Sequence, residues 1–295
     1  MKKYIILDDS SIKTGGTSLT LSAILEDRIK DCFFVSPTQL SQQFISDNLD
    51  KFWIIGNIMT CSTDNAVNCL LKILQDCRFV KLEFDYNFCP YRGRIPHQKL
   101  ANQNCDCPHG RNGNQFLSKV YDLIAKNSLH SFYMSERQRC IFMDRIPLIK
   151  PDKTSVLSSC FSSKFLNSIA ELSNKTKNNR YAILQGYGGW HSEAKGLTEA
   201  KNFCEANGIE YDILPAEEHE PYLKKLSSYK GMVFLPIIED TCPRSIIEAR
   251  LLNLDVIANI NCQHVNEFWW RDESETLKYL KTRTSHFWNI IDKCL

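Results

Sequence analysis

The stretch Gly231-Met-Val-Phe-Leu-Pro-Ile-Ile-Glu239-Asp240-Thr-Cys-Pro243-Arg244-Ser245-Ile-Ile-Glu248-Ala249, with Asp255-Val-Ile-Ala258 after it, decides the fold. An apolar run at 231–235, a polar loop, an amphipathic segment at 243–253 and a second apolar run at 255–258 spell a strand, helix, strand unit with parallel strands. Pro243 can take the first helical position, where its missing N–H costs nothing, with Thr241 or Cys242 at the cap. Backbone N–H groups at such a helix start, with the dipole and Arg244, suit a phosphate, and Ser245 sits beside them.

The same rhythm runs outward in both directions. Apolar runs at Tyr181–Leu184 and Tyr211–Leu214, with helical stretches near 194–207 and 218–228, complete one series. Towards the N-terminus, Tyr4–Leu7, Cys32–Val35, Phe52–Ile55, Phe79–Phe84 and Ser131–Met134 form another. The polar stretch 162–180 lies between them. The sequence therefore predicts an α/β protein with two Rossmann-like, doubly wound domains facing a central cleft, one at 1–160 and one at 161–273. Leu277, Leu280, Phe287, Ile290 and Ile291 predict a single closing helix over 274–295.

Composition excludes several classes. The chain has 295 residues, 43% hydrophobic and 24% charged, with 12 Gly and 10 Pro, which is the make-up of an ordinary globular protein. A formal charge of +2 supplies no global field for nucleic acid or membrane. Thirteen cysteines are too sparse for a secreted disulfide scaffold and odd in number, so reduced thiols are expected. No signal-peptide core or span of 18 apolar residues occurs, and a cytoplasmic location is expected. The sequon Asn174-Lys175-Thr176 is then a chance match.

Residues 87–114 break the rhythm with a polar run rich in Cys, Pro, Gly, Arg and His. Cys89, His97, Cys105 and Cys107 are the preferred ligands for one structural zinc, with His109 as a substitute for His97 and Cys140 as a distant candidate. Unligated thiols and an iron–sulfur cluster are the alternatives. Arg92, Arg94, Lys99 and Arg111, with Tyr91, make the same stretch a basic patch able to meet an acidic acceptor.

Glu248 lies in an otherwise apolar face. A carboxylate there needs partners, which a ribose diol, the backbone or Arg250 can supply.

An acidic residue, seven residues, then Glu-Ala before an apolar strand resembles the E-x7-E signature of retaining, nucleotide-sugar-using GT-B glycosyltransferases. Asp240 and Glu248 have the required spacing, and Glu239 is one residue early. Two further features are similar: Lys195-Gly196 after the strand at 181–184, and the loop Lys13-Thr14-Gly15-Gly16-Thr17 after the first strand. The resemblance implies Glu248 on the ribose, Asp240 or Glu239 on the sugar, and Lys195, Arg244 and helix-start amides on the diphosphate of a donor, UDP-sugar first among them. No Asp-x-Asp occurs, so catalysis independent of a divalent metal is expected. The phrases Glu83-Phe-Asp-Tyr86, Cys89-Pro-Tyr-Arg92, Cys105-Asp-Cys107, Tyr133-Met-Ser-Glu136 and Val156-Leu-Ser-Ser159 also resemble glycosyltransferase-like proteins of bacteriophages. Acceptors implied are a surface glycan or a hydroxymethylated base of phage DNA, in host cytoplasm. For an inverting transfer Asp8, Asp9 and Asp85 are candidate bases, and His191 and His264 are further loop candidates. The alternative of another class is a zinc-stapled, inactive protein that kept this fold and binds DNA or glycan.

Overall fold

The structure is a computed structural model describing residues 3–9, 15–111 and 113–295. The chain divides into two units, one running to Cys160 and taking in Arg283–Leu295, the other Phe161–Thr282.

The first unit is built on six strands: β1 (Tyr4–Leu7), β2 (Cys32–Val35), β3 (Phe52–Ile55), β4 (Arg78–Glu83), β5 (Ser131–Tyr133) and β6 (Thr154–Val156). All pair in parallel, in the order β2-β1-β3-β4-β5-β6. β1 and β3 are buried at every position, as unbroken apolar runs must be when helices cover both faces. One covering helix, Asp64–Asp76, starts where the Thr63 side chain accepts from Ala66 N. It buries Ala66, Cys69, Leu70, Ile73 and Leu74, one stripe at helical spacing. Helix Gln115–Asn127 does the same with Leu117, Val120, Tyr121, Ile124 and Ala125.

The winding direction reverses between β1 and β3, and the loops at their carboxyl ends meet there. Asp8 Oδ2 accepts from Asn57 N at 2.8 Å, and Asp9 Oδ2 from Thr60 N at 3.2 Å. These two candidate bases therefore tie loops together. Deeper in, fully buried Lys81 donates to the carbonyls of Gly56 (2.8 Å) and Leu82 (2.7 Å) and faces Glu83 at 3.2 Å. Tyr121 donates to the other Glu83 oxygen. Desolvation raises the Glu83 pKa despite Lys81.

The second unit has β7 (Tyr181–Leu184), β8 (Tyr211–Leu214), β9 (Gly231–Phe234) and β10 (Asp255–Ala258), all parallel, in the order β10-β9-β7-β8. Ala182, Met232, Ile246 and Ala249 pack on one face; Ile183, Val233, Ala200 and Cys204 pack on the other. Here the winding reverses between β7 and β9.

Four sequence expectations need correction. Residues 162–180 are not merely a polar boundary. Ser162 caps a helix Ser163–Ser173 that buries Leu166 and Ile169, its apolar spacing masked by flanking Ser, Asn and Lys. The run 87–114 is not structureless, because it holds the helix Arg94–Ala101. β6 went unread, since a three-residue edge strand leaves no periodic signal. The closing helix is two helices, Glu273–Lys281 and Arg283–Cys294, assigned to different units. Thr282 N–H and Oγ1–H both bond to the Tyr279 carbonyl, closing the first helix in a tight turn. Leu280 then buries with Trp269 in the second unit, whereas Trp288 Nε1 donates to Ile24 O and Phe287 meets Phe132 in the first. A seven-residue interval between Leu280 and Phe287 looks the same with or without that break.

No helix among the described residues is long and apolar enough to cross a membrane.

Candidate functional site

In the second unit the reversal between β7 and β9 brings together the loops that follow them, where ligands of such sheets bind. After β7, Gly186, Gly188 and Gly189 take positive φ, and the Gly188 N–H donates to Ser192 Oγ at 3.0 Å as the helix Gly189–Ala194 begins. Lys195 and Gly196 follow. Gly196 has φ +77°, and a Cβ there would stand 1.9 Å from the Leu235 carbonyl oxygen. Only glycine lets this backbone lie against the end of β9, and that contact fixes where Lys195 emerges.

Lys195 Nζ sits 2.5 Å from Asp240 Oδ2, so the candidate diphosphate cation and the candidate sugar-contacting carboxylate form one ion pair. Asp240 is buried and held by its backbone: its N–H donates to Asn261 O and its C=O accepts from Gln263 N. Its other carboxylate oxygen accepts from Cys242 N at 3.3 Å. Glu239, its neighbour, is half-buried. Asn259 and Asn261 both donate through Nδ2 to Pro236 O, stitching the loop after β10 to the loop after β9.

The helix begins one residue later than the sequence suggests. Pro243, with ψ 76°, is itself the cap rather than the first helical residue, and Arg244 N bonds back to Cys242 O at 2.8 Å. Half-buried Ser245 lies in the first turn. Arg244 is 7% exposed and stacks on Phe161 at 3.9 Å and Phe165 at 5.4 Å. Its Nε donates to Glu248 Oε1 at 2.8 Å. His219 Nε2 lies 2.8 Å from the same oxygen, its ring stacked between Phe165 and Tyr222. Glu248 is thus answered by Arg244 and His219, not by Arg250, whose guanidinium lies over Trp270. Burial, and after it the Glu248 charge, push the Tyr222 hydroxyl well above its ordinary range, and this buried O–H has no partner among the described residues.

His219, Phe161 and Phe165 escaped the sequence reading. Ser162 followed by Phe165, Leu166 and Ile169 was the available signal for the aromatic pair; His219 at the start of its helix carried none.

Other candidates fall elsewhere. Gly15 caps the helix Gly16–Leu25 with φ −82° and open space around a Cβ, so neither conformation nor contact demands glycine. Lys13 and Thr14 lie outside the described residues. His264 is fully buried beside Trp269 rather than exposed on a loop, and Trp269 itself packs on Tyr279 inside the second unit. His191 approaches Tyr187 edge-on. Asp85 pairs with Arg92.

In the first unit the segment after β4 gathers Cys89, His97, Cys105 and Cys107, all buried, with their ligand atoms within 4.8 Å of one another. His109 instead faces Asp122 at 3.5 Å, and Cys140 is exposed on another helix. A hydrogen bond shared between Cys89 and Cys105 raises the first thiol and pushes the second down to about 5. Arg92, Arg94, Lys99 and Arg111 are all exposed around this cluster.

No protein-family model matches the chain, and no curated protein is similar to it in sequence. Solved structures are similar to it in fold. Anabaena Alr3699/HepE in complex with UDP superposes with a TM-score of 0.56 at 10% identity, over 99% of this chain and 98% of that one. An α-glucosyltransferase in complex with UDP and a 13-mer DNA containing a HMU base gives 0.54 at 11%, over 97% and 90%. AviGT4, a glycosyltransferase of avilamycin A biosynthesis, gives 0.54 at 10%, over 100% and 95%. Two parallel sheets, of six and four strands, spanning nearly the whole length of these proteins make the fold of this chain the GT-B fold of glycosyltransferases.

Proposed function

We propose that the protein is a glycosyltransferase that moves a sugar from a UDP-sugar to a hydroxyl acceptor. One observation carries the reading: two buried carboxylates eight residues apart, Asp240 and Glu248, each met by a cation at the carboxyl ends of β7 and β9. Structures of similar fold bind UDP and UDP-glucose, which supports UDP over other nucleotides.

In this reading Glu248 accepts from the ribose hydroxyls while Arg244 and His219, each 2.8 Å from Oε1, fix the position of its carboxylate. Lys195 exchanges Asp240 for the donor diphosphate, joined by amides near Arg244 and Ser245. Asp240, released, takes a sugar hydroxyl, with Glu239 as the other candidate. The acceptor oxygen bonds to the anomeric carbon as the bond from that carbon to the diphosphate breaks. Negative charge developing on the diphosphate is stabilised by Lys195 and by the backbone amides at the helix start. In a retaining transfer the leaving diphosphate takes the acceptor's proton, so no dedicated base is required. The proposed acceptor is a hydroxymethylated base in DNA. A DNA-bound α-glucosyltransferase of the same fold, the exposed basic side chains around the Cys/His cluster and the phage-like phrases support it over a glycan.

A thermal-shift panel of UDP, GDP, ADP and CMP tests the donor. A shift with UDP alone is expected. No shift with any nucleotide, together with binding of DNA or glycan, favours an inactive binding protein.

A further inference from the structure

We propose that Cys89, His97, Cys105 and Cys107 bind one zinc ion, which fixes the segment 86–111 onto the first sheet. The inference is independent of the sugar-transfer reading.

The donor separations match an ion that is all but caged. With Zn–S about 2.3 Å and Zn–N about 2.0 Å, a tetrahedral site puts two sulfurs about 3.8 Å apart and sulfur and nitrogen about 3.5 Å apart. Here Cys89 Sγ lies 3.9 Å from Cys105 Sγ, and His97 Nδ1 lies 3.3 Å from Cys89 Sγ and 3.6 Å from Cys107 Sγ. All four donors are buried, His97 at 1% exposure, so four protein ligands close the site and leave no open position for substrate. Three thiols and one imidazole suit zinc, whereas the usual iron–sulfur cluster takes four thiolates.

The surroundings fit a structural role. His97 rides on the helix Arg94–Ala101, whose Leu100 and Lys99 are exposed and whose one fully buried apolar residue is Pro96, with Ile95 and Ala101 half-buried. That helix docks with little apolar burial. The three cysteines join the core of the first unit beside Tyr86 and Phe88. Two outer bonds orient the return: Arg145 Nη1 donates to Cys105 O at 3.1 Å, and Ser118 Oγ to Pro108 O at 2.5 Å. A closed zinc site supplies the ordering that the missing core does not.

The test is metal analysis of the full chain purified without chelator. About one zinc per chain is expected, released on thiol modification and read with a chromogenic chelator. Cobalt in its place should show thiolate charge-transfer bands and tetrahedral d–d absorption. C105S and C107S should each lose the metal, while C140S, outside the cluster, keeps it. Should the cluster variants fail to fold, wild-type stoichiometry and the cobalt spectrum still decide. Wild-type protein that holds no zinc after incubation with the ion, or holds iron with sulfide, overturns the proposal.

Discussion

Replacing Glu248 by Gln tests the donor-binding role proposed for the carboxylate. Gln keeps the volume and one acceptor oxygen within 2.8 Å of Arg244 Nε and His219 Nε2 but takes the counter-charge from the Arg244 guanidinium, 7% exposed, so the fold should lose about 3–5 kcal/mol. Alanine would remove the acceptor as well and leave a cavity, a larger disturbance of the same site. If the protein binds UDP as proposed, UDP at 100 times its Kd should stabilise wild type by about 2.7 kcal/mol, roughly 5–10 °C of melting temperature. Losing a charge-assisted hydrogen bond to the ribose costs about 2 kcal/mol, or roughly 30-fold in affinity. At the same UDP concentration the variant then gains only about 0.9 kcal/mol, roughly 2–3 °C. Each protein is compared with its own ligand-free melt, which removes the fold's loss from the readout. An E248Q variant with the full wild-type shift would refute the reasoning, leaving Glu248 as a brace for Arg244 and His219.

Gly196→Ala drives a Cβ to 1.9 Å from Leu235 O at φ +77°, so the second unit should lose about 3 kcal/mol in urea unfolding, and an unchanged midpoint would contradict the fold described for this loop. Glu83→Gln leaves the Lys81 ammonium buried without its counter-charge and should cost about 3–5 kcal/mol, whereas the double change Lys81→Met, Glu83→Leu should recover most of it; equal losses in the two would rule this out. His130, whose pKa burial pushes down to about 4, is neutral when folded and protonates more readily when unfolded. Its stabilisation is therefore complete above about pH 6.5 and fades as pH falls towards 4, by on the order of 1–2 kcal/mol after allowance for its residual exposure. Melting curves of wild type and H130Q should converge over that interval, and parallel curves would show that His130 does not carry the effect.

Much of the architecture was legible because parallel strands buried on both faces must be continuous apolar runs. Tyr4–Leu7, Phe52–Ile55 and Tyr181–Leu184 are delimited in the sequence as they are in the structure. Within the candidate site, the resemblance to an E-x7-E signature pointed to Asp240 and Glu248, and soft ligands pointed to the four residues that converge after β4. What stayed hidden is set by tertiary contact. That Arg244 stacks on Phe161 and Phe165 and answers Glu248, and that His219 completes the pair, follows from a helix whose apolar spacing is diluted by polar neighbours. Lys195 facing Asp240 joins residues 45 positions apart, which no local pattern encodes. The break at Thr282 leaves the periodicity of the tail intact and so leaves no trace in it.

Sugar transfer itself is the central claim. The full chain, incubated with each of a set of UDP-sugars and a duplex containing hydroxymethylated pyrimidines, is assayed by mass spectrometry of the DNA and by UDP release. The account predicts one sugar added per modified base with an equal amount of UDP formed, and neither with unmodified DNA. UDP release only with a glycan acceptor would contradict the DNA assignment, and no transfer or UDP release with any acceptor would contradict the account as a whole.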